Sequence, residues 1–244
     1  MSDAINNTPS CGLQTDCSIA VQPREIKEAA FRSLCAAGAD PAEAQEGALA
    51  VLRAQAEEHE GLRLLEELLD ADWAAPARPT AATDVSWAGG TLREIESAGQ
   101  PGLRTALQLF DLVTDAPAGE MAAARTSDVR IPALLWTDLV LRNTAARGRQ
   151  IIIAITNPAG TQRNDDKTDY LTVRDGVLSP APALEAVTGV IPSTTGSSTV
   201  VVALPEPAAT NPDKSTIGPQ PLTMREKDWQ NMYQMSRKYL VPDA

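Results

Sequence analysis

The acid–base chemistry open to this sequence depends on its single histidine, His59, in the stretch QAEEHEGLRLL at residues 55–65. Glu57 and Glu58 precede it and Glu60 follows it. Neighbouring carboxylates raise the basicity of an imidazole, which suits a general base. The same surroundings are more typical of a solvated histidine at the end of a helix, where it caps the last carbonyl groups. His59 is therefore the candidate catalytic residue, and helix capping is the alternative.

A second kind of chemistry is open to four arginines that flank the most apolar predicted helix and the strand after it. They are Arg142, Arg147, Arg149 and Arg163. A guanidinium group binds a carboxylate through two parallel hydrogen bonds, so these residues are candidate anchors for a carboxylate substrate. The alternative is that each lies at the surface, where it complements a helix C-terminus or borders a loop.

Two polar loops resemble known ligand-binding motifs only in part. TTGSST at residues 194–199 lacks the Lys of a phosphate-binding loop, and a β-branched strand follows it, which favours a hairpin loop. Asp165, Asp166 and Asp169 do not have the alternate spacing, central Gly and closing Glu of a calcium loop. The sequence contains no G-x-S-x-G elbow and no G-x-G-x-x-G fingerprint after a strand. These loops therefore predict neither a nucleotide-binding site nor a metal-binding site.

The cysteines indicate the compartment and also bear on metal binding. Cys11, Cys17 and Cys35 are odd in number, and the first two lie in a polar N-terminal segment, so we expect reduced thiols. Cys11 and Cys17 are too far apart for a zinc-binding pair. The first residues have neither a basic nor an apolar signal region, and no apolar run approaches the roughly 20 residues that span a bilayer. We expect a soluble, cytoplasmic protein without a metal.

The overall charge argues against two classes of partner. Lys and Arg number 21 against 32 Asp and Glu, which gives a formal charge of −11. A chain this acidic repels phosphate backbones and anionic lipids, so neither nucleic acid nor a membrane is the expected partner. Hydrophobic residues make up 43% of the chain but aromatic residues only 4%, which favours close helix packing over aromatic-lined binding grooves.

The N-terminal part of the chain predicts a flexible arm and then a helical unit. Residues 1–21 are polar and show no periodicity, which is typical of an arm. Residues 22–72 contain three helical patterns, and the second starts with Asp40, Pro41 and Glu43 in capping-box spacing. Residues 73–84 are rich in Pro, Ala and Thr and are the predicted linker.

Residues 85–244 predict an α+β unit that has to position any site. The apolar helix at residues 131–147 is the expected centre of the core, and QIIIAIT after it is a predicted buried strand. Further strands are predicted up to about residue 204, a Pro-rich loop at residues 205–222, and a last helix to Tyr239. The predicted fold class is α+β, with a helical N-terminal unit, a mixed or antiparallel sheet of four to five strands and a C-terminal helix.

Both ends of the chain resemble an uncharacterised bacterial domain-of-unknown-function family. The resemblance is carried by REIKEAAFRSLCAAGADPAEAQEGALAVLRAQAEEHEGLRLLEELLD at residues 24–70 and DWQNMYQMSRKYLVPDA at residues 228–244. In that family a Trp-bearing helix leads into an aromatic-x-Val-Pro end, here Tyr239, Val241 and Pro242. This resemblance implies no particular reaction.

The N-terminal helices also resemble the malate and lactate-type dehydrogenases, an NAD(P)-dependent family distinct from Rossmann enzymes. That family opens with a similar helical pair and a Ser-His-Gly-Leu motif whose histidine serves catalysis. In EEHEGLRLL, Glu58 takes the place of the serine, and Glu60 separates His59 from Gly61. One inserted residue rotates a helical side chain by about 100°, so we expect His59 to point away from the family's site. The resemblance implies NAD(P) as cofactor.

Three functions remain open at this point, and the sequence does not decide whether the protein is an enzyme. The first is an accessory or partner-binding protein of a bacterial metabolic system, with a protein partner or a second copy of itself and no cofactor. The second is a small-molecule enzyme that holds a carboxylate substrate with the four arginines. The third is a dehydrogenase-related protein that uses His59 and a nicotinamide cofactor.

Overall fold

The computed structural model describes residues 17–74, 82–87, 90–97, 99–117, 119–127, 129–147, 149–156, 168–174, 177–180, 198–207 and 216–240. The helices are α1 (Pro23–Ala37), α2 (Pro41–Glu58), α3 (Gly61–Leu69), α4 (Gly102–Thr114), α5 (Ala133–Arg147) and α6 (Glu226–Arg237), followed by the 3₁₀ turn Lys238–Leu240. The strands are β1 (Ser18–Val21), β2 (Ala82–Trp87), β3 (Gly90–Ile95), β4 (Ala122–Ser127), β5 (Arg149–Thr156), β6 (Thr168–Arg174), β7 (Val177–Pro180), β8 (Ser198–Pro207) and β9 (Leu222–Arg225).

The first two helices begin where their capping residues predict. Pro23 and Pro41 each stand in the first turn, where a missing N–H has no intrahelical partner to lose. The Asp40 side chain accepts a hydrogen bond from the Ala42 N–H at 2.8 Å, and Glu43 accepts one from the Asp40 N–H at 3.2 Å. The predicted capping box is therefore confirmed.

Small residues let the helices of the N-terminal unit approach closely. A Cβ at Gly47 of α2 would lie 2.7 Å from Leu34 Cδ1 of α1 and 2.8 Å from Leu103 Cδ2 of α4. Ala44 and Ala48 on the same helix are fully buried. The alanine-rich composition thus serves helix packing, as the sequence predicts.

A mixed sheet packs against α4 and α5. Its strand order is β2-β3-β4-β8-β5-β6-β7, and all neighbours are antiparallel except the parallel pair β3 and β4. The α+β class is confirmed. The sheet has seven strands where four to five were expected, because β2, β3 and β4 precede residue 149 and join it through β8. The sequence does indicate a short strand around Val85–Trp87 that turns at Gly89–Gly90, and β2 and β3 form this local hairpin. The pairing of β4 with β8, some 75 residues further along the chain, leaves no local pattern to recognise.

The two ends of the described chain meet in a second, two-stranded sheet. β1 pairs antiparallel with β9, with Val21 opposite Leu222 and Ser18 opposite Arg225. The sequence places β1 in a flexible arm and the start of β9 in the Pro-rich loop. Each strand is four residues long, and its ladder of backbone hydrogen bonds forms with a partner far away in the sequence. Cys17, directly before β1, is disulfide-bonded and Cys35 is a free thiol, so the expectation of three reduced thiols is wrong for Cys17.

The burial of its side chains confirms that α5 lies at the centre of the core. Leu135, Trp136 and Leu139 of this helix are fully buried, together with Ile151 and Ile153 of the strand that follows it. No helix within the described ranges is both long and apolar enough to cross a membrane. The proposed division of the chain into an arm, a helical unit, a linker and an α+β unit stays a prediction.

Candidate functional site

His59 lies at the turn between α2 and α3. It is exposed and adopts the left-handed conformation, with φ 59° and ψ 27°, and its backbone N–H donates to the Ala54 carbonyl. This is the position at which helices commonly end, and a glycine usually occupies it. His59 therefore has the helix-terminating role that the sequence offered as the alternative, and its catalytic role stays a prediction.

The turn around His59 is held by the buried Gln55. Its side-chain Oε1 accepts a hydrogen bond from the Gly61 N–H at 3.3 Å, and its Nε2 donates to the Thr223 carbonyl of β9 at 3.0 Å. A Cβ at Gly61 would lie 2.8 Å from Gln55 Cβ, so the start of α3 needs a glycine. The expected 100° rotation of His59 assumes a continuous helix, whereas α2 ends at Glu58 and α3 begins at Gly61.

A network of buried charges joins α2 to α5. Arg53 Nε donates to Asp138 Oδ1 at 2.9 Å, and Arg142 Nε donates to Asp138 Oδ2 at 2.7 Å. The side chains of Arg53 and Asp138 are only 3% and 2% exposed. Arg53 also contacts Glu57 at 2.6 Å, and Arg142 contacts Glu46 at 2.7 Å. Asp138 thus compensates two arginines at once, which is what burial of these charges requires.

The Nη2 nitrogen of Arg142 is buried within this network. It forms an ion pair with Asp138 Oδ2 at 2.6 Å, although no described acceptor meets the geometry of a hydrogen bond to it. Burial disfavours the charge on Arg142, but the carboxylates of Asp138 and Glu46 outweigh this effect and raise its pKa. Arg142 therefore stays charged.

Arg142 lines a cavity of about 300 Å³, here called the cationic cavity. Its charged lining residues are Arg24 and Lys27 of α1, Arg53 of α2, and Asp138 and Arg142 of α5. Its apolar lining includes Leu49, Leu52 and Ile217. His59 is not among the described lining residues.

The cationic cavity has two further features that favour an anion. Arg24 and Lys27 form no ion pair within the described part of the chain, so their charges are uncompensated there. Pro23, at the N-terminus of the 15-residue helix α1, also lines the cavity. The N-terminus of a helix carries a partial positive charge, which adds to the field of the side chains.

The other predicted arginines lie elsewhere. Arg149 donates to the carbonyl groups of Ala116 at 3.1 Å and Val113 at 3.5 Å, and also to that of Glu120. It therefore binds backbone oxygens after α4, as a cation near a helix C-terminus often does. Arg147 is the last residue of α5, and Arg163 lies outside the described residues, as do Asp165, Asp166 and residues 194–197. Of the two whose side chains the structure describes, Arg142 and Arg149, it is Arg142 that lines the cationic cavity.

Sequence reasoning missed Arg24, Lys27, Arg53 and Asp138. Asp138 and Arg53 carry a signal that could have found them, because each is a charged residue inside an apolar helical stretch, LLWTDLVL and AVLRAQA. A charge in such a position requires a partner. Arg24 and Lys27 carry no such signal, since their role depends on which helix packs beside α1.

A second cavity of about 300 Å³ lies between the end of α3 and the start of α4. Its charged lining residues are Glu67, Asp70, Asp72 and Arg130. No group of three His, Cys, Asp or Glu side chains placed to hold a metal ion occurs among the described residues. Acidic side chains outnumber basic ones in the described lining of this cavity, whereas the described lining of the cationic cavity has the opposite balance.

The fold is that of a class of dehydrogenases. A dehydrogenase from Sinorhizobium meliloti matches with a TM-score of 0.60 and 10% identity, over 90% of this chain and 100% of that chain. Malate dehydrogenase from Entamoeba histolytica matches with a TM-score of 0.56 and 9% identity, over 93% and 99% of the two chains. A protein provisionally named a malate/lactate dehydrogenase from E. coli has a TM-score of 0.56 and 11% identity, over 92% and 96%.

These comparisons decide between the two resemblances seen in the sequence. No family model and no curated protein sequence matches the chain. The resemblance to a domain-of-unknown-function family is therefore not supported, whereas the resemblance to malate and lactate-type dehydrogenases is supported at the level of the fold. At these identities, the shared property is the fold and not the activity.

The comparisons also contradict the expectation that the protein uses no cofactor. The matching structures are dehydrogenases, and protein side chains cannot accept the hydride that a dehydrogenase removes, so such enzymes require a cofactor. Each of the two cavities, at about 300 Å³, lies at the lower end of the range for drug-sized ligands, and a nicotinamide dinucleotide is larger. Neither has an aromatic residue in its described lining to stack on a nicotinamide or adenine ring. Within its described lining, neither cavity by itself fits a dinucleotide.

Proposed function

We propose that the protein is a small-molecule enzyme, related in fold to malate-type dehydrogenases, which binds a carboxylic acid in the cationic cavity. The observation that carries this proposal is the set of four cationic side chains that line the cavity, of which Arg24 and Lys27 form no ion pair within the described part of the chain. A carboxylate oxygen is the acceptor that guanidinium and ammonium donors prefer. The named substrates of two matching structures, malate and malate or lactate, are carboxylic acids as well.

The geometry assigns different tasks to the residues of the cavity. Asp138 holds Arg53 and Arg142 in fixed orientations, because each of its oxygens accepts from one of them. Arg24 and Lys27 would attract the acid electrostatically, because their charges are not neutralised by neighbours in the described structure.

This function is favoured over that of an accessory protein. The comparisons find dehydrogenases over nearly the full length of the chain, and nothing in them supports an accessory role. A protein partner or a second copy of the chain stays a prediction. A dehydrogenase mechanism through His59 is not favoured, because this residue ends a helix and does not line the cavity.

Isothermal titration calorimetry of the full chain with lactate and with malate tests whether an acid binds. We expect saturable binding that Arg24→Ala and Lys27→Ala each weaken, since both residues are at the cavity but outside the buried network. Arg32→Ala is the matched control, because Arg32 lies on the same helix and pairs with Glu28 at the surface. If none of the three substitutions changes the affinity for the acid, the acid binds at another site.

A spectrophotometric assay tests the reaction. The protein is incubated with each acid and with NAD⁺ or NADP⁺, and the absorbance of the reduced nicotinamide is followed. We expect turnover that is lost on Arg142→Ala and retained on Arg32→Ala. Acid binding without turnover for any acid and either cofactor would refute the enzymatic part of the proposal and leave the binding part intact.

A further inference from the structure

We propose that the outer face of α6 binds a second copy of this chain, through antiparallel pairing of the two α6 helices. This inference goes beyond the proposed function and does not depend on it. It follows from the aromatic side chains that this face exposes, from the charges at its two ends, and from the order in which these residues follow one another along the helix.

The inner face of α6 already packs within the chain. Met232 and Ser236 are buried, and the helix contacts α1 and α3. Four exposed residues follow one another at intervals of three and four positions, which places them on one line along the helix. They are here called the α6 stripe and are Glu226, Gln230, Tyr233 and Arg237.

The α6 stripe is the centre of an exposed aromatic surface. Tyr233 is 53% exposed, and Tyr239, in the 3₁₀ turn after α6, is 47% exposed. Both exposed large apolar side chains among the described residues thus lie on this element. The ring of Tyr233 lies 6.1 Å from that of the half-buried Trp229, which extends the aromatic surface along the helix. Tyrosine and tryptophan are enriched in protein interfaces and often dominate their binding energy, so this surface suits a protein partner.

The two ends of the α6 stripe carry opposite charges. Glu226 lies in the first turn of the helix and Arg237 in its last turn. Neither forms an ion pair within the described ranges of the chain. Gln230 donates a hydrogen bond to Glu226 at 3.1 Å, which leaves the negative charge of the carboxylate in place. A partner that fits this stripe therefore presents a cation at one end and an anion at the other.

A second, reversed copy of the α6 stripe meets this requirement. If the twofold axis passes midway between Gln230 and Tyr233, Glu226 of each copy faces Arg237 of the other. Tyr233 of each copy then faces Gln230 of the other, and the two tyrosine rings meet beside the axis. A twofold interface uses the same surface on both copies, so the stripe has to be complementary to itself, as it is here. Parallel helices would instead place Glu226 against Glu226, and their dipoles would repel each other.

The size of this contact predicts a reversible dimer. A helix of 12 residues is about 18 Å long, so one pair of such helices buries less than the roughly 1,200–2,000 Å² of stable complexes. We therefore expect monomer and dimer to exchange, with a dimer fraction that rises with protein concentration.

Sedimentation velocity of the full chain, at concentrations from about 1 μM to about 1 mM, tests the inference. Glu226→Arg and Arg237→Glu each place like charges opposite one another at both ends of the interface. We expect each to raise the Kd of the dimer at least about tenfold, and Tyr233→Ala to do so as well. Asp84→Arg, the same change of charge at an 83% exposed position on the edge strand β2, is the matched control and should leave the Kd unchanged.

An equimolar mixture of the two charge variants tests the antiparallel orientation. In a dimer with one copy of each, every arginine at the ends of the stripe faces a glutamate, so we expect the mixture to dimerise about as well as the unchanged protein. Circular dichroism of each variant checks that the exposed substitutions leave the fold intact.

Three results would overturn the inference. The first is a chain that stays monomeric up to about 1 mM. The second is a dimer whose Kd neither charge variant changes, because it would use another surface. The third is a mixture that stays as weak as its components, because it would exclude the antiparallel arrangement. None of them bears on acid binding, because no residue of α6 is in the described lining of the cationic cavity.

Discussion

Substitution of Asp138 by Asn is the most direct test of the charge network at the cavity. The Asp138 side chain is 2% exposed and contacts Arg53 at 2.9 Å and Arg142 at 2.6 Å. Asparagine has the same shape but no charge, and its amide N–H groups would face a guanidinium group. Removal of one partner from a buried ion pair costs about 3–5 kcal/mol, because the other charge stays buried. We expect Asp138→Asn to lower the free energy of unfolding by this amount.

Urea denaturation followed by circular dichroism measures this loss, and thermal denaturation should show a decrease in Tm of about 6–20 °C for a chain of this size. Asp84→Asn is the matched control, because Asp84 is 83% exposed and lies 3.7 Å from its partner Arg93. Its loss should be less than about 1 kcal/mol.

The double substitution Arg53→Met with Asp138→Leu removes both charges of the buried pair, whereas Asp138→Asn removes one and leaves the charge of Arg53 buried. Comparing the two variants separates the loss of the ion pair from the cost of the remaining buried charge. Replacing both partners by apolar side chains is often far less costly than breaking the pair. We expect the double variant to be more stable than Asp138→Asn. A loss for Asp138→Asn no larger than that of Asp84→Asn would show that the buried network does not hold α2 against α5 as described.

Three further predictions concern the helical unit. His59→Gly should raise the free energy of unfolding by about 1 kcal/mol, because a left-handed backbone is strained for residues other than glycine, and a lower stability in denaturation would contradict the helix-ending role. Gly47→Ala should cost about 1–3 kcal/mol from overpacking between helices. Gly218→Ala, where nothing lies within 4 Å, is its control and should be near neutral in the same assay. Burial, with a smaller effect of the Asp40 charge, raises the pKa of Cys35. Iodoacetamide should therefore alkylate Cys35 more slowly at pH 8 in the folded than in the denatured protein, and equal rates would contradict this burial.

His59 lies where the chain leaves α2, because this helix ends at Glu58 and α3 begins at Gly61. The buried Gln55 fixes this turn from both sides, through Gly61 and Thr223. The left-handed conformation of His59 is typical of a residue that ends a helix, and its catalytic role stays a prediction. The cationic cavity lies around Arg142 instead, and His59 is not among its described lining residues.

Local patterns were sufficient for the helices and for part of the site. Asp40, Pro41 and Glu43 start α2 through contacts within four residues of one another, so the sequence alone locates this boundary. The apolar run of α5 likewise predicts a central helix, and Leu135 and Trp136 are indeed fully buried. Arg142 could be predicted as an anion anchor because guanidinium chemistry is a property of the residue itself.

Tertiary structure decided everything that depends on distant partners. The sequence by itself determined the α+β class, the starts of α1 and α2, and the chemistry that Arg142 can offer. Only the fold decided that β1 pairs with β9, that Asp138 faces Arg53 across 85 residues, and that Arg24 and Lys27 line the same cavity as Arg142. The physical reason is that caps and apolar periodicity act within one or two helical turns, whereas strand pairing and charge compensation act between segments that only packing brings together.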